Sequence, residues 1–279
     1  MFSLVTLPDV IFDKIKSYVI FTPKSKKNLQ NAVKLWCYDK KSTHKLYGHI
    51  SLWDTKFITD MSEIFSGYED FNSVISSWNV SNVENMEHMF NSENFNQPLN
   101  NWNVSNVTNM NGMFFEAINF NQPLNYWNVS NVTEMRFIFS EAYKFNQPLN
   151  NWNVSNVTSM SGMFSSTKSF NQSLNNWDVN NVTDMSYMFE DALSFNQPLN
   201  NWDVNNVTDM SYMFEGALSF NQPLNNWDVS NIKNMFSMFK SAISFNQPLD
   251  NWNISKVTNM NSMFCNTKSL SQIPNWYNN

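Results

Sequence analysis

The sequence has little cysteine, glycine, histidine and charge. Its 279 residues include 2 Cys, 5 Gly and 3 His, and 14% of them are charged. Two cysteines, Cys37 and Cys265, cannot build a disulfide framework or a zinc cluster. Because the chain has so few histidines and no unique cluster of histidine, cysteine and acid residues, we expect no enzymatic activity and no cofactor.

Long apolar runs are also missing. No run approaches 18 residues and the mean hydropathy is -0.43, so no membrane-spanning helix is predicted. Asp9, Asp13 and Lys14 interrupt the apolar stretch near the N-terminus, which disfavours an export signal. We therefore expect an intracellular protein.

Basic charge is concentrated in the first part of the chain. Residues 1–56 hold 10 Lys and 4 Asp, whereas residues 57–279 hold 7 Lys or Arg and 19 Asp or Glu. The basic part is short and lacks interleaved aromatic residues, and the acidic part repels a phosphate backbone. No nucleic-acid partner is expected.

Large apolar residues are abundant and periodic. The chain has 11 Trp, 24 Phe and 17 Met, which recur every 25 residues, or every 24 in two places for the tryptophans. The tryptophans of this register are Trp53, Trp78, Trp102, Trp127, Trp152, Trp177, Trp202, Trp227, Trp252 and Trp276. One methionine and two phenylalanine registers run in parallel with them, which identifies a repeat array.

Residues 195–218 illustrate the local structure expected of one repeat. Val207, Met210 and Phe214 recur at helical spacing, and Trp202 and Val204 alternate with polar residues as in a short strand. One repeat cannot bury these side chains alone, but a stack of repeats can. The sequence thus predicts an α/β repeat solenoid that is leucine-rich-repeat-like. About nine 25-residue coils would each carry a short parallel strand and a short helix, below an N-terminal helical cap.

Three segments are predicted along the chain. Residues 1–27 form an N-terminal helical segment, residues 28–52 a capping helix and lead-in, and residues 53–279 the repeat solenoid. Asparagines beside the second phenylalanine register are expected to stack as amide ladders that satisfy loop backbone groups.

The repeats resemble those of the BspA-type leucine-rich-repeat proteins. The shared unit is Phe-Asn-Gln-Pro-Leu-Asn-Asn-Trp-Asn-Val-Ser-Asn-Val-Thr-Asn-Met-x-x-Met-Phe. Such proteins occur among bacterial surface proteins and mycoplasma lipoproteins, in protists and in giant DNA viruses. The resemblance covers residues 28–279 and implies a leucine-rich-repeat-like fold, no catalysis, and a role in adhesion or protein interaction. The missing signal peptide and lipobox cysteine favour the intracellular or viral branch of the family. Membership of the viral branch would place the protein in the host cytoplasm or the virion.

Residues 1–27 carry a second, shorter resemblance. Leu7, Ile11 and Ile15 follow a helical stripe with Pro8 near its start. The stretch Leu-Pro-Asp-Val-Ile-Phe-Asp-Lys-Ile is similar to the first helix of an F-box, which implies docking to a ubiquitin-ligase adaptor. The alternative is an amphipathic helix that covers the open end of the array.

Two registers allow a binding or a structural interpretation. The eight tryptophans from Trp78 to Trp252 could form a sugar-binding platform, but neighbouring valines share their parity and closely stacked coils leave no room for sugar rings. We interpret them as a core ladder. The methionine thioethers suit copper, yet methionines at helical spacing beside phenylalanine more often fill a core.

Three aspartates, Asp178, Asp203 and Asp228, occupy one repeat position in consecutive coils. Bound calcium would relieve the repulsion between them, whereas solvent exposure would screen it without any ion. Both interpretations stay open.

Positions where the repeats differ are candidates for binding. Aromatic residues occupy such positions at Tyr126, Phe137, Tyr187, Tyr212 and Phe236. Exposed aromatic side chains often anchor interfaces, although variation on a solvated face gives the same pattern. The predicted function is a non-enzymatic protein–protein interaction scaffold with an extended repeat surface and an unknown protein partner. The alternatives are an F-box-like ubiquitin-ligase substrate adaptor and a surface adhesion protein.

Overall fold

The structure is a computed structural model that describes residues 20–277. The F-box-like helical stripe lies outside the described residues. Helix α1 is Lys26–Tyr38 and helix α2 is Lys40–Tyr47, and a 3-10 turn follows at Ile50–Leu52. These elements lie in and just before the segment for which the sequence predicts a capping helix and lead-in.

The limits of both helices follow from local side-chain chemistry. Ser25 precedes α1, and its side chain accepts a hydrogen bond from the Asn28 amide at 3.2 Å. Asp39 separates the two helices, and its carboxylate accepts from the Ser42 amide at 3.0 Å. Such caps satisfy amides that have no partner inside a helix. Gly48, with φ of 74°, ends α2 in a conformation that favours glycine.

Helix α1 packs against the first coil of the array. Val33 and Trp36 are buried, and the Trp36 indole donates to Ser73 Oγ at 2.9 Å. At the start of the helix, Lys26 Nζ pairs with the Asp60 carboxylate at 3.0 Å. The helix therefore shields the apolar side of the first coil, as a terminal cap does in repeat proteins.

The predicted α/β solenoid is wrong for the repeats. From residue 53 to residue 277, the structure consists of turns, loops and isolated bridges, with no strand and no helix. One parallel bridge joins each coil to the next, as from Asp184 to Asp209 and from Asp209 to Asn234. The array is therefore a stack of turn-built coils, without the strand and helix expected of a leucine-rich-repeat-like unit.

Two tight turns explain why the predicted strand does not form. The Trp202 amide donates to the Leu199 carbonyl at 3.1 Å, and the Val207 amide donates to the Val204 carbonyl at 3.0 Å. The stretch between these turns is too short for a strand, and its amides do not pair in a continuous ladder with the next coil. The alternation of apolar and polar residues at Trp202 and Val204 thus reflects which side chains are buried and does not indicate a β-sheet.

Left-handed residues explain why the predicted helix does not form. Tyr212 has φ of 61° and Gly216 has φ of 64°, whereas an α-helix needs φ near about -60° throughout. The amides of Met210, Tyr212 and Phe214 donate to the next coil instead of to their own. Their acceptors are the carbonyls of Asn234, Phe236 and Met238, at 2.8–2.9 Å.

This pairing, which we call the turn ladder, has one direction. Within it, every second residue donates its amide to the following coil, and the residues between accept from the preceding coil through their carbonyls. Consequently the described turn ladder ends in unpaired donors at the last coil. Within residues 20–277, the amides of Met260, Ser262 and Phe264 in the last complete coil have no backbone acceptor.

Aromatic columns fill the interior of the stack. The rings of the first phenylalanine column, such as Phe164 and Phe189, lie about 5.7 Å apart, and each also stacks within its own coil, as Phe164 does on Phe170 at 4.1 Å. Trp152 and Trp177 stack at 6.5 Å. Phenylalanines of both columns are 0% exposed in the middle of the array. Their burial supplies the main favourable energy of stacking.

Asparagine side chains tie the coils together outside the core. Asn171 Oδ1 accepts from the Asn196 amide and from Gln197 Nε2, both at 3.0 Å. In a second register, Asn206 Nδ2 donates to the Asn180 carbonyl at 2.7 Å. These side chains satisfy loop amides and carbonyls that no regular element pairs.

Candidate partner-binding surface

A column of left-handed residues runs along one surface of the stack. Its members are Glu63, His88, Gly112, Phe137, Gly162, Tyr187, Tyr212, Ser237 and Ser262, with φ between 48° and 61°. We call the surface around this column the turn face. Since glycine alone adopts this conformation without strain, the non-glycine members are held there by the surrounding turn ladder.

Aromatic rings on the turn face lean onto the following coil. A Cβ on Gly112 would lie 2.3 Å from the His88 ring, and a Cβ on Gly162 would lie 2.2 Å from the Phe137 ring. Each of these rings thus covers a glycine. The glycine serves two needs at once, a positive φ and room for the ring of the preceding coil.

Gly162→Ala tests this packing. We expect the free energy of unfolding to fall by about 1–2 kcal/mol, because alanine is strained at positive φ and displaces the Phe137 ring. Ser166→Ala is the matched control, since Ser166 is also left-handed (φ 54°) and already carries a Cβ. Urea unfolding measures both. If Gly162→Ala is equally destabilising in a Phe137→Gly background, the ring does not contribute.

Three of the five candidate contact residues lie together on the turn face. The rings of Tyr187 and Tyr212 stack at 4.5 Å, and Phe236 meets Tyr212 edge-on at 5.1 Å. All three are partly exposed. Phe137 belongs to the same column and is 39% exposed, but the coil of Gly162 separates it from Tyr187. We call Tyr187, Tyr212 and Phe236 the aromatic cluster.

Tyr126 lies elsewhere. It directly precedes Trp127, in a register that is asparagine in most other coils, and it is 86% exposed. Among residues 20–277 it stacks with no other ring. Its position makes it a control for the aromatic cluster rather than a part of it.

Carboxylates of two adjacent coils border the aromatic cluster. Glu190 accepts a hydrogen bond from Ser165 Oγ at 3.0 Å, and Glu215 pairs with Lys240 at 2.7 Å. Glu190 makes no ion pair within residues 20–277. Burial raises the pKa of the Glu190 carboxyl, and the Asp191 and Glu215 charges act in the same direction. The Ser165 hydrogen bond and the Lys240 charge partly oppose this shift.

A second acidic border lies on the other flank of the column. Asp209 accepts from the Ser211 amide at 2.8 Å and from Asn234 Nδ2 at 3.0 Å. Burial first, then the neighbouring Tyr212, Glu190 and Asp209, raise the pKa of the Tyr187 phenol. The Tyr187 phenol is therefore partly desolvated and has the Glu190 and Asp209 carboxylates nearby.

The aspartates considered for calcium have a local role in the structure. Asp178 and Asp203 are exposed, and each accepts from the amide two residues later at 3.2 Å. Asp228 does the same with Ser230 at 3.0 Å, and that hydrogen bond lowers its pKa. In other coils asparagine occupies this turn position, as Asn153 does. The turn needs a side-chain oxygen, and a negative charge is not required for it.

Calcium should therefore leave the stability unchanged. We expect no shift of the melting temperature when calcium replaces EDTA at constant ionic strength, because the three carboxylates are exposed and screened. Differential scanning calorimetry measures this. A calcium-dependent rise that disappears in an Asp178→Asn, Asp203→Asn, Asp228→Asn variant would restore the calcium site.

The tryptophan and methionine registers lie inside the stack. The eight tryptophans from Trp78 to Trp252 are 2–4% exposed, which leaves no surface for a sugar ring, and Met185 and Met210 are 0% exposed. Within residues 20–277, no group of three His, Cys, Asp or Glu side chains is placed to hold a metal ion.

Two concave regions lie at the ends of the stack. One, of about 300 Å³, is lined by residues at the end of α1 and the Tyr68 loop, and it includes Cys37, whose pKa is raised to about 11 by burial. The other, of about 260 Å³, lies at the last coil beside Phe264, Cys265 and Tyr277. Neither contains the aromatic cluster.

Comparison with protein families gives three overlapping matches. They cover residues 35–148, 119–219 and 168–277, and the matching family is described as Mycoplasma protein of unknown function, DUF285. The chain belongs to the DUF285 family. No curated protein and no solved structure matches it. In this DUF285 chain, no helix of residues 20–277 is long and apolar enough to cross a membrane.

Two features of this DUF285 chain escaped the sequence reasoning. Glu190 and Glu215 share a repeat position with Ser165 and Lys240, and a comparison of that register would have shown the cluster of charge. The glycines Gly112 and Gly162 carried a signal as well, because each replaces a larger residue one coil after an aromatic or histidine side chain. Because the chain has only 5 Gly, two of them in one repeat register indicate a position where a side chain does not fit.

Proposed function

We propose that this DUF285 chain is a non-enzymatic protein–protein interaction scaffold, and that the turn face is its binding surface. The observation that carries the proposal is the aromatic cluster, in which Tyr187 and Tyr212 stack at 4.5 Å on a surface that is still partly open to solvent. Tyrosine is enriched among the residues that anchor protein interfaces. Its rigid side chain gives a large contact area and loses little conformational entropy on binding.

The rigidity of the surface supports the same function. Each cluster residue sits between turn-ladder bonds, as Tyr187 does when its amide donates to the Ser211 carbonyl at 2.9 Å. A preorganised backbone reduces the entropy lost on binding. The stack repeats this support from coil to coil, so substitutions on the turn face alter the surface without altering the core.

We also propose that the chain is related to the BspA-like repeat proteins. The Mycoplasma family match and the repeated Phe-Asn-Gln-Pro-Leu-Asn-Asn-Trp unit support it. If the protein is an adhesion protein, the turn face binds its partner outside a cell. If it is an intracellular scaffold, the partner is a cytoplasmic protein. Both forms require the same protein-binding surface.

Proximity labelling in the native cell tests the proposal. The variant pair is Tyr187→Gly with Tyr212→Gly, because glycine occupies the same left-handed register at Gly112 and Gly162. We expect this double variant to lose specific labelled neighbours, and Tyr126→Asn to keep them. If the unmodified protein, the double tyrosine variant and Tyr126→Asn label the same neighbours, the proposal is wrong. An enzymatic activity of the chain that disappears in His88→Ala would also overturn it.

A further inference from the structure

The aromatic cluster and its acidic borders together define the chemistry of a partner, if the proposed function holds. Within residues 20–277, aromatic rings elsewhere already carry cations, as Lys168 Nζ lies 3.8 Å from the centroid of the Tyr143 ring one coil away. No lysine or arginine of the described residues lies over Tyr187, Tyr212 or Phe236. The cluster therefore presents tyrosine rings beside carboxylates, and the nearby Lys240 ammonium pairs with Glu215 rather than lying over a ring.

Of the two bordering carboxylates, only Glu215 has an ion-pair partner among the described residues, which also favours a cationic ligand. Lys240 neutralises Glu215 at 2.7 Å, whereas Glu190 is half-buried and has a serine hydroxyl as its side-chain partner. Lys240 lies close enough to lower the pKa of Glu190 but makes its ion pair with Glu215, so one lysine faces two carboxylates. A half-buried carboxylate without an ion pair of its own is destabilised relative to one in water. A cation supplied from outside would pair with Glu190 as Lys240 pairs with Glu215.

The charge of the whole array favours an external cation as well. Residues 57–279 hold 19 acidic and 7 basic residues, so a basic segment is attracted to the stack before contact. Among cations, the planar guanidinium of arginine both stacks on tyrosine rings and pairs with a carboxylate, whereas the lysine ammonium is a more strongly hydrated point charge.

We propose that the turn face binds an arginine-bearing basic segment of a partner protein, with a guanidinium stacked against the face of the Tyr187 ring that Tyr212 does not cover and paired with the Glu190 carboxylate. Phe236, in the coil after Tyr212, extends the apolar surface on the other side of the tyrosine pair. This inference rests on the proposed function and gives its partner a chemical class.

Isothermal titration with synthetic peptides tests the proposal on the full chain. The probes are a peptide of repeated Arg-Gly-Ser triplets, its lysine counterpart, and its citrulline counterpart, which keeps the shape and removes the charge. We expect the arginine peptide to bind more tightly than the lysine peptide and the citrulline peptide not to bind. The Tyr187→Gly, Tyr212→Gly double variant should weaken arginine binding by roughly tenfold.

Charge-matched variants separate a specific site from general attraction. Glu190→Gln and Asp178→Asn each remove one negative charge, and Asp178 lies in an exposed turn position that accepts asparagine. We expect Glu190→Gln to weaken arginine binding by about fivefold and Asp178→Asn to leave it within about twofold. Urea unfolding of each variant confirms that it is folded.

The outcomes distinguish this inference from the function on which it rests. Equal weakening by Glu190→Gln and Asp178→Asn, or no effect of the double tyrosine variant, would overturn the arginine site. Equal affinity for the lysine peptide would overturn the guanidinium assignment. If no basic peptide binds while the tyrosine variant still loses its labelled neighbours, the partner chemistry is wrong and the scaffold function stands.

Discussion

Trp177→Ala is expected to lower the free energy of unfolding by about 3–5 kcal/mol, the range for removing a fully buried aromatic side chain. Trp177 is 3% exposed and stacks on Trp152 at 6.5 Å, and its indole donates to the Leu149 carbonyl of the preceding coil at 3.0 Å. The substitution removes contacts with the adjacent coils at once. Urea unfolding followed by circular dichroism gives the change.

Three further variants give this prediction its controls. Tyr126→Asn should change the stability by less than about 0.5 kcal/mol, because Tyr126 is 86% exposed. Trp276→Ala should be less destabilising than Trp177→Ala, since Trp276 lies in the last, incomplete coil and is only partly buried. Trp177→Phe should fall between these values. If Trp177→Ala and Tyr126→Asn unfold at the same urea concentration, the tryptophans do not hold the stack together.

Deletion of residues 178–202, one whole repeat, is expected to leave a folded protein. It joins Trp177 to Asp203, which restores the Trp-Asp step of the native sequence. Each coil donates its turn ladder to the next coil only, as Met185 does to Asp209 and Met210 to Asn234. The shortened stack should therefore keep its fold and lose only the stability contributed by one coil and its contacts.

Deletion of residues 178–189 is the matched negative control. It removes about half a repeat, so that the later phenylalanine and tryptophan registers no longer meet their counterparts. We expect this variant to be unfolded or aggregated, with no cooperative transition in urea. If both deletions unfold the protein, the coils depend on long-range contacts, and a nearest-neighbour stack is the wrong description.

The sequence was sufficient for the period and for the residues that face the core. Large side chains repeated every 25 residues, such as Phe164, Phe189 and Phe214, can be sheltered only by their equivalents in adjacent coils. In the structure these rings lie 5.6–5.7 Å apart. The DUF285 match over residues 35–277 agrees with an array of repeats.

The local conformation was not predictable by the same means. Spacing at Val207, Met210 and Phe214 indicates which side chains share a face, and a helix is the usual way to place them there. Left-handed residues at Tyr212 and Gly216 place them on one face through successive turns instead. Tyrosine and serine rarely adopt positive φ, so the residue types at these positions do not predict the turn ladder.

The candidate surface was predictable only in part. Variable aromatic positions could be read from the repeats, but the sequence could not tell that Tyr187 and Tyr212 stack while Tyr126 stands alone. That difference depends on which direction each ring leans, which follows from the backbone at positive φ. The acidic borders needed the same information, because Glu190 approaches the cluster through the turn that joins it to Tyr187.

Residue-resolved amide hydrogen exchange tests most directly whether one-way hydrogen bonds between turns hold consecutive coils together. The amides of Met185, Tyr187 and Phe189 donate to the next coil at 2.9 Å, whereas the equivalent amides of Met260, Ser262 and Phe264 have no backbone acceptor within residues 20–277. We expect the interior amides to exchange about a hundredfold more slowly, or slower still. Equal exchange of the two sets, or fast exchange of the interior amides, would contradict the turn ladder.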